Sequence, residues 1–506
     1  RDAQESRGLG DVYKRQFLNM GCITAATPDL SGTFVVGTLD VSWSGAACPL
    51  GTALSFTVAA YLWARLGLRR SLRTALLLML AGTLAGLAAD HFFIMVLARF
   101  LQGTGGGLAL VYGTGLVNAA LPPERRSPAM GVKLCSIGLA SCASPVAGCL
   151  LVQYWHWKGL FVIVGAAAAL LAVLTTLYVP NTKIPKNGKF DWFSFLTLAA
   201  GCVCILMVLI YGETDGWTAP GVLCWMYGGF CSFVLAAISC MTHRTPLLDV
   251  RVLGNWRFLF GLLASLCNIF CICWVRVGTV QFMRNVMNYE PAGIAWVFLV
   301  LVAGFCAGAA IVLPLMQKGR LALRVGMMAG LLGLGSSAFF LSRLDAGCSW
   351  LDVAWPLGLF GVGYAFCLNV ATPLALRGVE AKSAAASSRT LNTVRYVFIS
   401  MYVGSVSTVL AHMKTGYRFD MAEQVRDDSP GTVQTLDMWQ RHFSETGGTA
   451  ADIHASVNAM LNHAVALQSQ VFSVDAFYLC TVIVGAAGVL FALLCLKSGK
   501  ERNTAS

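Results

Sequence analysis

Charge is scarce in this chain. Only 12% of its 506 residues are Asp, Glu, Lys or Arg, against about 25% in a soluble globular domain. A solvent-wetted surface around a single core cannot be built from so few. Acidic residues are the scarcer kind, 24 against 36 basic, for a formal net charge of +12. That excess does not point to a nucleic-acid partner, because the basic residues fall in short, separated clusters and not on one face. The short signatures of catalysis are missing too. There is no G-x-x-x-x-G-K-[ST], which removes ATP hydrolysis as an energy source, and no G-x-S-x-G, H-E-x-x-H or paired intramembrane aspartates. The chain therefore reads as no enzyme, with no cofactor or metal implied. Its 18 cysteines form no framework. Most sit inside apolar runs, as Cys202, Cys204, Cys267, Cys271 and Cys273 do, and no C-x-x-C lies in a zinc-like context.

What is abundant is apolar sequence, 57% of residues. Runs of about 20 apolar residues are long enough to span a bilayer. They fall at 46–64, 74–89, 92–118, 129–152, 160–179, 193–211, 219–241, 258–282, 292–315, 325–342, 353–376, 391–411 and 470–496. Residues 17–27 form a shorter run, read as the outer half of a truncated first helix, which brings the expected total to about fourteen. Residues 1–16 are polar, lack a starting Met and lack a secretory pattern; they read as a non-native leader or as a natural tail. Residues 243–257 mix apolar and charged side chains, as a short interfacial helix does. Within the long external segment 412–468, residues 450–468 place Ile453, Val457, Met460, Leu461, Ala464 and Val465 at helical spacing, which predicts an amphipathic helix entering the last span.

The loops alternate in charge. With residues 1–16 inside, the inner loops and tail carry 21 Lys and Arg, and the short outer loops carry only Lys158, Arg284 and Arg343. By the positive-inside rule this places both termini in the cytoplasm. Four basic residues fall inside spans: Arg99, Lys133, Arg276 and Arg395. An intramembrane charge costs about 2.5–3.5 kcal/mol on insertion scales and marks a water-filled cavity or a buried partner. Arg99 is the most suggestive. It lies in Leu97-Ala98-Arg99-Phe100-Leu101-Gln102-Gly103-Thr104-Gly105-Gly106-Gly107, where the glycines allow close helix approach or a bend.

These motifs, in this order, resemble the fourteen-helix drug:proton antiporters of the major facilitator superfamily, the EmrB/QacA type. Leu62-x-x-Arg65-x-Gly67-x-Arg69-Arg70 is similar to the family's loop between helices 2 and 3, whose basic residues latch the halves on the cytoplasmic side. Arg99-x-x-Gln102-Gly103-x-Gly105-Gly106 resembles the helix 4 motif, whose arginine is implicated in proton coupling. Ser144-Pro145-x-x-Gly148-Cys149 resembles the helix 5 antiporter motif GPxxGG, with two of its glycines replaced. Trp157-Lys158-x-x-Phe161 resembles the turn before helix 6. Phe190-Asp191-Trp192, with Gly212 and Gly216-Trp217, brackets the first extra helix. Asn392-x-x-Arg395 resembles the NxxR of helix 13, and Gln468 with Asp475-x-Phe477 the start of the last helix.

The resemblance implies an all-α fold: two six-helix bundles, 17–179 and 258–496, with two extra central helices and a linker at 180–257 and a cytoplasmic tail at 497–506. It implies a multi-pass protein of the bacterial inner membrane that exports hydrophobic drugs or amphiphiles in exchange for protons by alternating access. Gram-negative relatives of this type pair with a periplasmic adaptor and an outer-membrane channel, for which 412–468 is a candidate docking segment. One departure matters. Asn19 stands where the helix 1 motif LDxTIVNVALP carries its Asp, and an amide cannot bind and release a proton as a carboxylate does. Asp475, Glu213, Asp215 and Glu290 are the candidate substitutes, none clearly mid-membrane. Arg276, beside Trp274, either faces the cavity, where it would favour anionic substrates, or snorkels to the outer interface. Asn369, Tyr364 and Phe366 are further candidates for the cavity wall. The alternative reading is a transporter of the same fold for a specific metabolite or siderophore, with different ion coupling.

Overall fold

A computed structural model of the chain describes residues 26–184, 190–243, 246–316, 320–376, 379–380, 383–424, 430–445 and 450–496. Asn19, the leader 1–16 and nearly all of the expected first helix lie outside the described residues. Every regular element among those described is helical. They are α1 (Thr27–Phe34), α2 (Thr38–Leu66), α3 (Leu68–Leu87), α4 (Phe92–Ala120), α5 (Pro123–Tyr154), α6 (Lys158–Tyr178), α7 (Trp192–Asp215) and α8 (Pro220–Thr242). There follow α9 (Trp256–Asn285), α10 (Pro291–Met316), α11 (Arg320–Leu341), α12 (Trp350–Leu376), α13 (Ala384–Gln424), α14 (Pro430–Glu445) and α15 (Ala450–Leu496). Each of the thirteen long apolar runs is met by one helix. Twelve are long and apolar enough to cross a bilayer, and α11 contributes the shorter apolar stretch Val325–Leu341.

Local chemistry sets several helix ends. Asp191 caps α7: its Oδ1 accepts from the Ser194 amide at 3.0 Å and its Oδ2 from the Ser194 hydroxyl at 2.5 Å. Asp191→Ala removes this buried cap and is expected to cost about 1–2 kcal/mol, seen as a lower melting temperature of the purified protein. Asn255 caps α9 by accepting from the Arg257 amide at 3.1 Å. The α2–α3 turn passes through Gly67 at φ +82°, a conformation open to glycine at no steric cost.

Helix contacts repeat across the chain. α4 packs on α2 and α3, and α3 on α6; in the second half α12 packs on α10 and α11, and α11 on α15. Between the halves, α2 lies on α13 and α5 on α10. Under the same correspondence α2 answers to α10 and α5 to α13, so these two contacts are one contact seen twice. The closest packing within each half uses small residues. A Cβ on Gly103 would fall on the backbone of Cys48, and one on Gly304 on that of Gly358, which is how membrane helices come near enough for dispersion forces to hold them.

The α7–α8 hairpin lies against the α2–α13 seam through α7. The Tyr211 hydroxyl donates to Asp40 at 2.8 Å, and that of Thr408 to the Ile210 carbonyl at 3.2 Å. α8 packs chiefly on α7 and leaves Trp225, Tyr227, Phe230 and Ile238 exposed. So large an apolar face fits a lipid solvent and not water.

α13 and the 243–257 segment differ from expectation in extent. α13 has 41 residues and α15 has 47, about 61 and 70 Å of helix, twice a hydrocarbon core of about 30 Å. Both run on past the membrane, and α14 packs on α15. Residues 450–468 are helical, as their spacing predicts. Among the described residues of 243–257 there is a 3-10 turn, Val250–Gly254, before α9 starts at Trp256. The segment is tied to α13: the Asp249 amide donates to Thr390 at 2.9 Å, and Arg389 to the Pro246 carbonyl at 3.3 Å.

Candidate functional site

A cavity of about 1050 Å³ lies between the halves. α2, α4 and α5 wall one side, and α9, α12 and α13 the other. Its apolar lining includes Phe56, Leu110, Ile137, Ile272, Tyr364 and Tyr396. It extends past Trp63, Met130, Ile184 and Ala385, toward the end where α2 turns into α3 and α13 begins. That is the end the charge count assigns to the cytoplasm. No residue from α7 or α8 lines it.

Its polar lining is one-sided. Lys133, Arg276, Arg389 and Arg395 all face the cavity, and no Asp or Glu does among the described residues. Arg276 donates to the hydroxyls of Ser141 at 3.0 Å and Ser144 at 2.6 Å, both on α5, while its Nε has no hydrogen-bond partner. This is the cavity-facing of the two positions its sequence left open. Arg395, 8% exposed, donates from Nε to Ser265 on α9 at 2.5 Å and from Nη1 to Thr372 on α12 at 2.7 Å; its Nη2 has no partner. Lys133 donates to Thr114 and toward the Leu110 carbonyl on α4. Arg389, at the mouth, lies within electrostatic reach of Asp249.

The helix 4 motif sits elsewhere. Arg99 is wholly buried, and neither it nor Gln102 lines the cavity. The Arg99 Nε donates to the Ser44 carbonyl on α2 at 3.3 Å and its Nη1 to Gln102 Oε1 at 3.1 Å, while Gln102 Nε2 donates to Thr83 on α3 at 3.1 Å. Gly103 faces α2, and Gly105 faces Ala75 and Met79 on α3; Gly106 is buried.

In the α2–α3 turn, Arg65 stacks on Tyr61 at 4.6 Å, Arg69 donates to the Val179 carbonyl and Arg70 is exposed. The Leu68 amide donates to Thr182 at 2.7 Å. These contacts join the turn to the chain leaving α6, within the first half. α5 runs unbroken through Pro145, which lines the cavity, and Gly148 is buried. Asn392 lines the cavity one turn before Arg395.

The other wall candidates divide. Tyr364 lines the cavity. Trp274, Asn369 and Phe366 do not: Trp274 stacks on Phe477 at 4.0 Å, Asn369 donates to the Ala365 carbonyl at 2.8 Å, and Phe366 is buried in the second half. None of the candidate acids lines the cavity. Glu213 contacts His412 at 2.6 Å and accepts from Trp217 at 3.1 Å. Asp475 is partly buried on α15, with one carboxyl oxygen unpartnered. Sequence reasoning counted Lys133 and Arg389 without giving them a place in the site. For Lys133 the signal was present, a charge inside an apolar run.

Comparison with known proteins gives one consistent answer. Residues 16–402 match the sequence model of the Major Facilitator Superfamily. The chain is 27% identical over 399 residues, 78% of it and 73% of the relative, to the multidrug resistance protein Stp of Mycobacterium tuberculosis. It is 22% identical over 432 residues, 81% of each, to the drug efflux pump JefA of the same organism. Among solved structures, a bacterial homolog of the human lysosomal transporter Spinster, in an inward-facing and unoccupied conformation, superposes with a TM-score of 0.61. That match has 15% identity and covers 99% of this chain and 98% of that one.

Proposed function

The chain belongs to the Major Facilitator Superfamily, a family of transporters and not enzymes, and from that premise we propose that it exports amphiphilic compounds from the cytoplasm of a bacterium across the inner membrane by alternating access. The observation that carries this reading is a large cavity between two repeated halves, extending toward one end of the bundle. Rocking of the halves 17–179 and 258–496 about the α2–α13 and α5–α10 contacts would close that end and open the other. An ion gradient drives the cycle, with protons as the first candidate. The extensions of α13 and α15 with α14 are the segment an adaptor protein would meet.

The relatives named for drug resistance and efflux support hydrophobic drugs as cargo. Asn19 and the absence of a carboxylate from the described lining favour the second reading, a specific substrate with other ion coupling. The test is on everted membrane vesicles loaded with a pH-sensitive dye, energised, and challenged with cationic, neutral and anionic amphiphiles. Drug:proton antiport is expected to give a substrate-dependent release of protons that Arg99→Ala abolishes. Substrate uptake with no proton movement would overturn proton coupling and leave the transporter.

A further inference from the structure

From the cations of the cavity we infer that the cargo is an amphiphilic organic anion, an apolar body carrying at least one carboxylate or sulfonate-type group, held by Arg276 and Arg395. This rests on the transporter reading and names the substrate class of the same cavity.

Two guanidinium groups stand inside the wall, and the hydrogen-bond partners of both are neutral hydroxyls. Hydroxyls orient an arginine without cancelling its charge. Each arginine also keeps one buried nitrogen with no partner, Nε in Arg276 and Nη2 in Arg395. Buried charge is stabilised by an opposite charge or by water, and the described lining offers no carboxylate. Residues 17–27 likewise contain no Asp or Glu. A cation entering this cavity would meet positive charge with nothing to pair it; an anion would complete two half-made sites.

The placement of the charges sharpens the class. Arg395 binds Ser265, and eleven residues further along α9 stands Arg276, about 16 Å deeper along the helix. The cavity thus has two positive levels, one nearer its mouth and one nearer its closed end. Lys133 on α5 occupies the position in the first half that Arg395 occupies in the second, ten and eleven residues past the starts of corresponding helices. An anion moving inward passes from the Lys133–Arg395 level to Arg276. The apolar wall of Phe56, Ile272, Tyr364 and Tyr396 between and around them requires that the rest of the cargo be apolar. The volume fits a drug-sized body.

The test uses the full chain in lipid nanodiscs and three fluorescent probes: anilinonaphthalene sulfonate, uncharged phenylnaphthylamine, which has the same rings without the sulfonate, and cationic ethidium. The sulfonate is expected to bind at least about tenfold more tightly than its uncharged partner, the size of one charge-assisted hydrogen bond. Arg276→Gln and Arg395→Gln are each expected to remove most of that preference while leaving affinity for the uncharged dye unchanged, and Arg276→Lys and Arg395→Lys to keep it. Equal binding of the two naphthylamines by the unaltered protein, a stronger hold on ethidium, or an undiminished preference in both Gln variants would overturn the inference. The first two outcomes need no variant to fold. Energised everted vesicles separate this from the parent reading. Uptake of ethidium alone sinks the anionic class and keeps the transporter. Arginine-dependent sulfonate binding with no uptake of any probe sinks the transporter and keeps the anion site.

Discussion

Gly103→Leu is expected to leave no folded protein in the membrane, with the chain recovered only as aggregate or degraded. Gly103 is where α4 meets α2. A Cβ there already falls on the Cys48 backbone, and a Cβ on Gly107 would meet Ser55 and the Thr52 backbone one turn on. The Thr52 hydroxyl, which donates to the Gly103 carbonyl at 3.0 Å, would be pushed away with them. Backbone cannot swing aside as a flexible side chain does, so α2 and α4 must part along their length. Overpacking in a core with room to adjust costs about 1–3 kcal/mol; a leucine driven into a helix backbone exceeds the upper end of that range. Parting also strips Arg99 of its Ser44 acceptor, since that bond crosses the same interface. The check is a monodisperse peak in detergent on size-exclusion chromatography. Gly221→Leu serves as control, because a Cβ there meets no neighbour within 4 Å, and it is expected to behave as the unaltered protein.

The expected spans were legible because bilayer physics writes them plainly: long apolar runs, closed by basic loops on alternate sides. What the sequence could not write was rotation. Trp274 and Arg276 are two residues apart on α9, and both were candidates for the cavity wall. Only Arg276 faces the cavity, because Phe270 and Phe477 take the Trp274 ring into a stack 4.1 and 4.0 Å away. Phe270 is a neighbour on the same helix, but Phe477 comes from α15, and no helical period of α9 reveals it. Arg389 was hidden for another reason. The stretch Ala384-Ala385-Ala386-Ser387-Ser388-Arg389 has no apolar run, so it reads as loop, yet it is the first turn and more of α13. The same blindness to polar helix concealed how far α13 runs beyond the bilayer. Arg99 shows a third limit. Its cost of burial was evident, but whether a cavity or a set of hydrogen bonds meets that cost depends on Ser44 and Thr83, which belong to two other helices.

Arg99→Lys tests what that burial is for. A coupling role through charge alone would survive the substitution, because lysine keeps the charge. The structure argues for a role through geometry. The guanidinium donates from two separate nitrogens, one to the α2 backbone and one to Gln102, and Gln102 carries the connection to Thr83 on α3. Three helices of the first half are thereby held in one arrangement, in a place the cavity does not reach. Lysine has a single compact ammonium on a flexible stem and cannot reproduce a planar fork. One or both of these charge-assisted bonds are then lost, at about 1.5–3 kcal/mol each, offset in part because membrane helices find other partners. Gradient-driven transport is therefore expected to fall at least about tenfold in Arg99→Lys, equivalent to about 1.4 kcal/mol in the cycle, and further in Arg99→Ala. Thermal melting should drop in the same order, while the relative affinities for the anionic and uncharged naphthylamine dyes stay unchanged, since the cavity arginines are untouched. Full transport by Arg99→Lys would assign Arg99 to coupling by charge and remove the fork from the account.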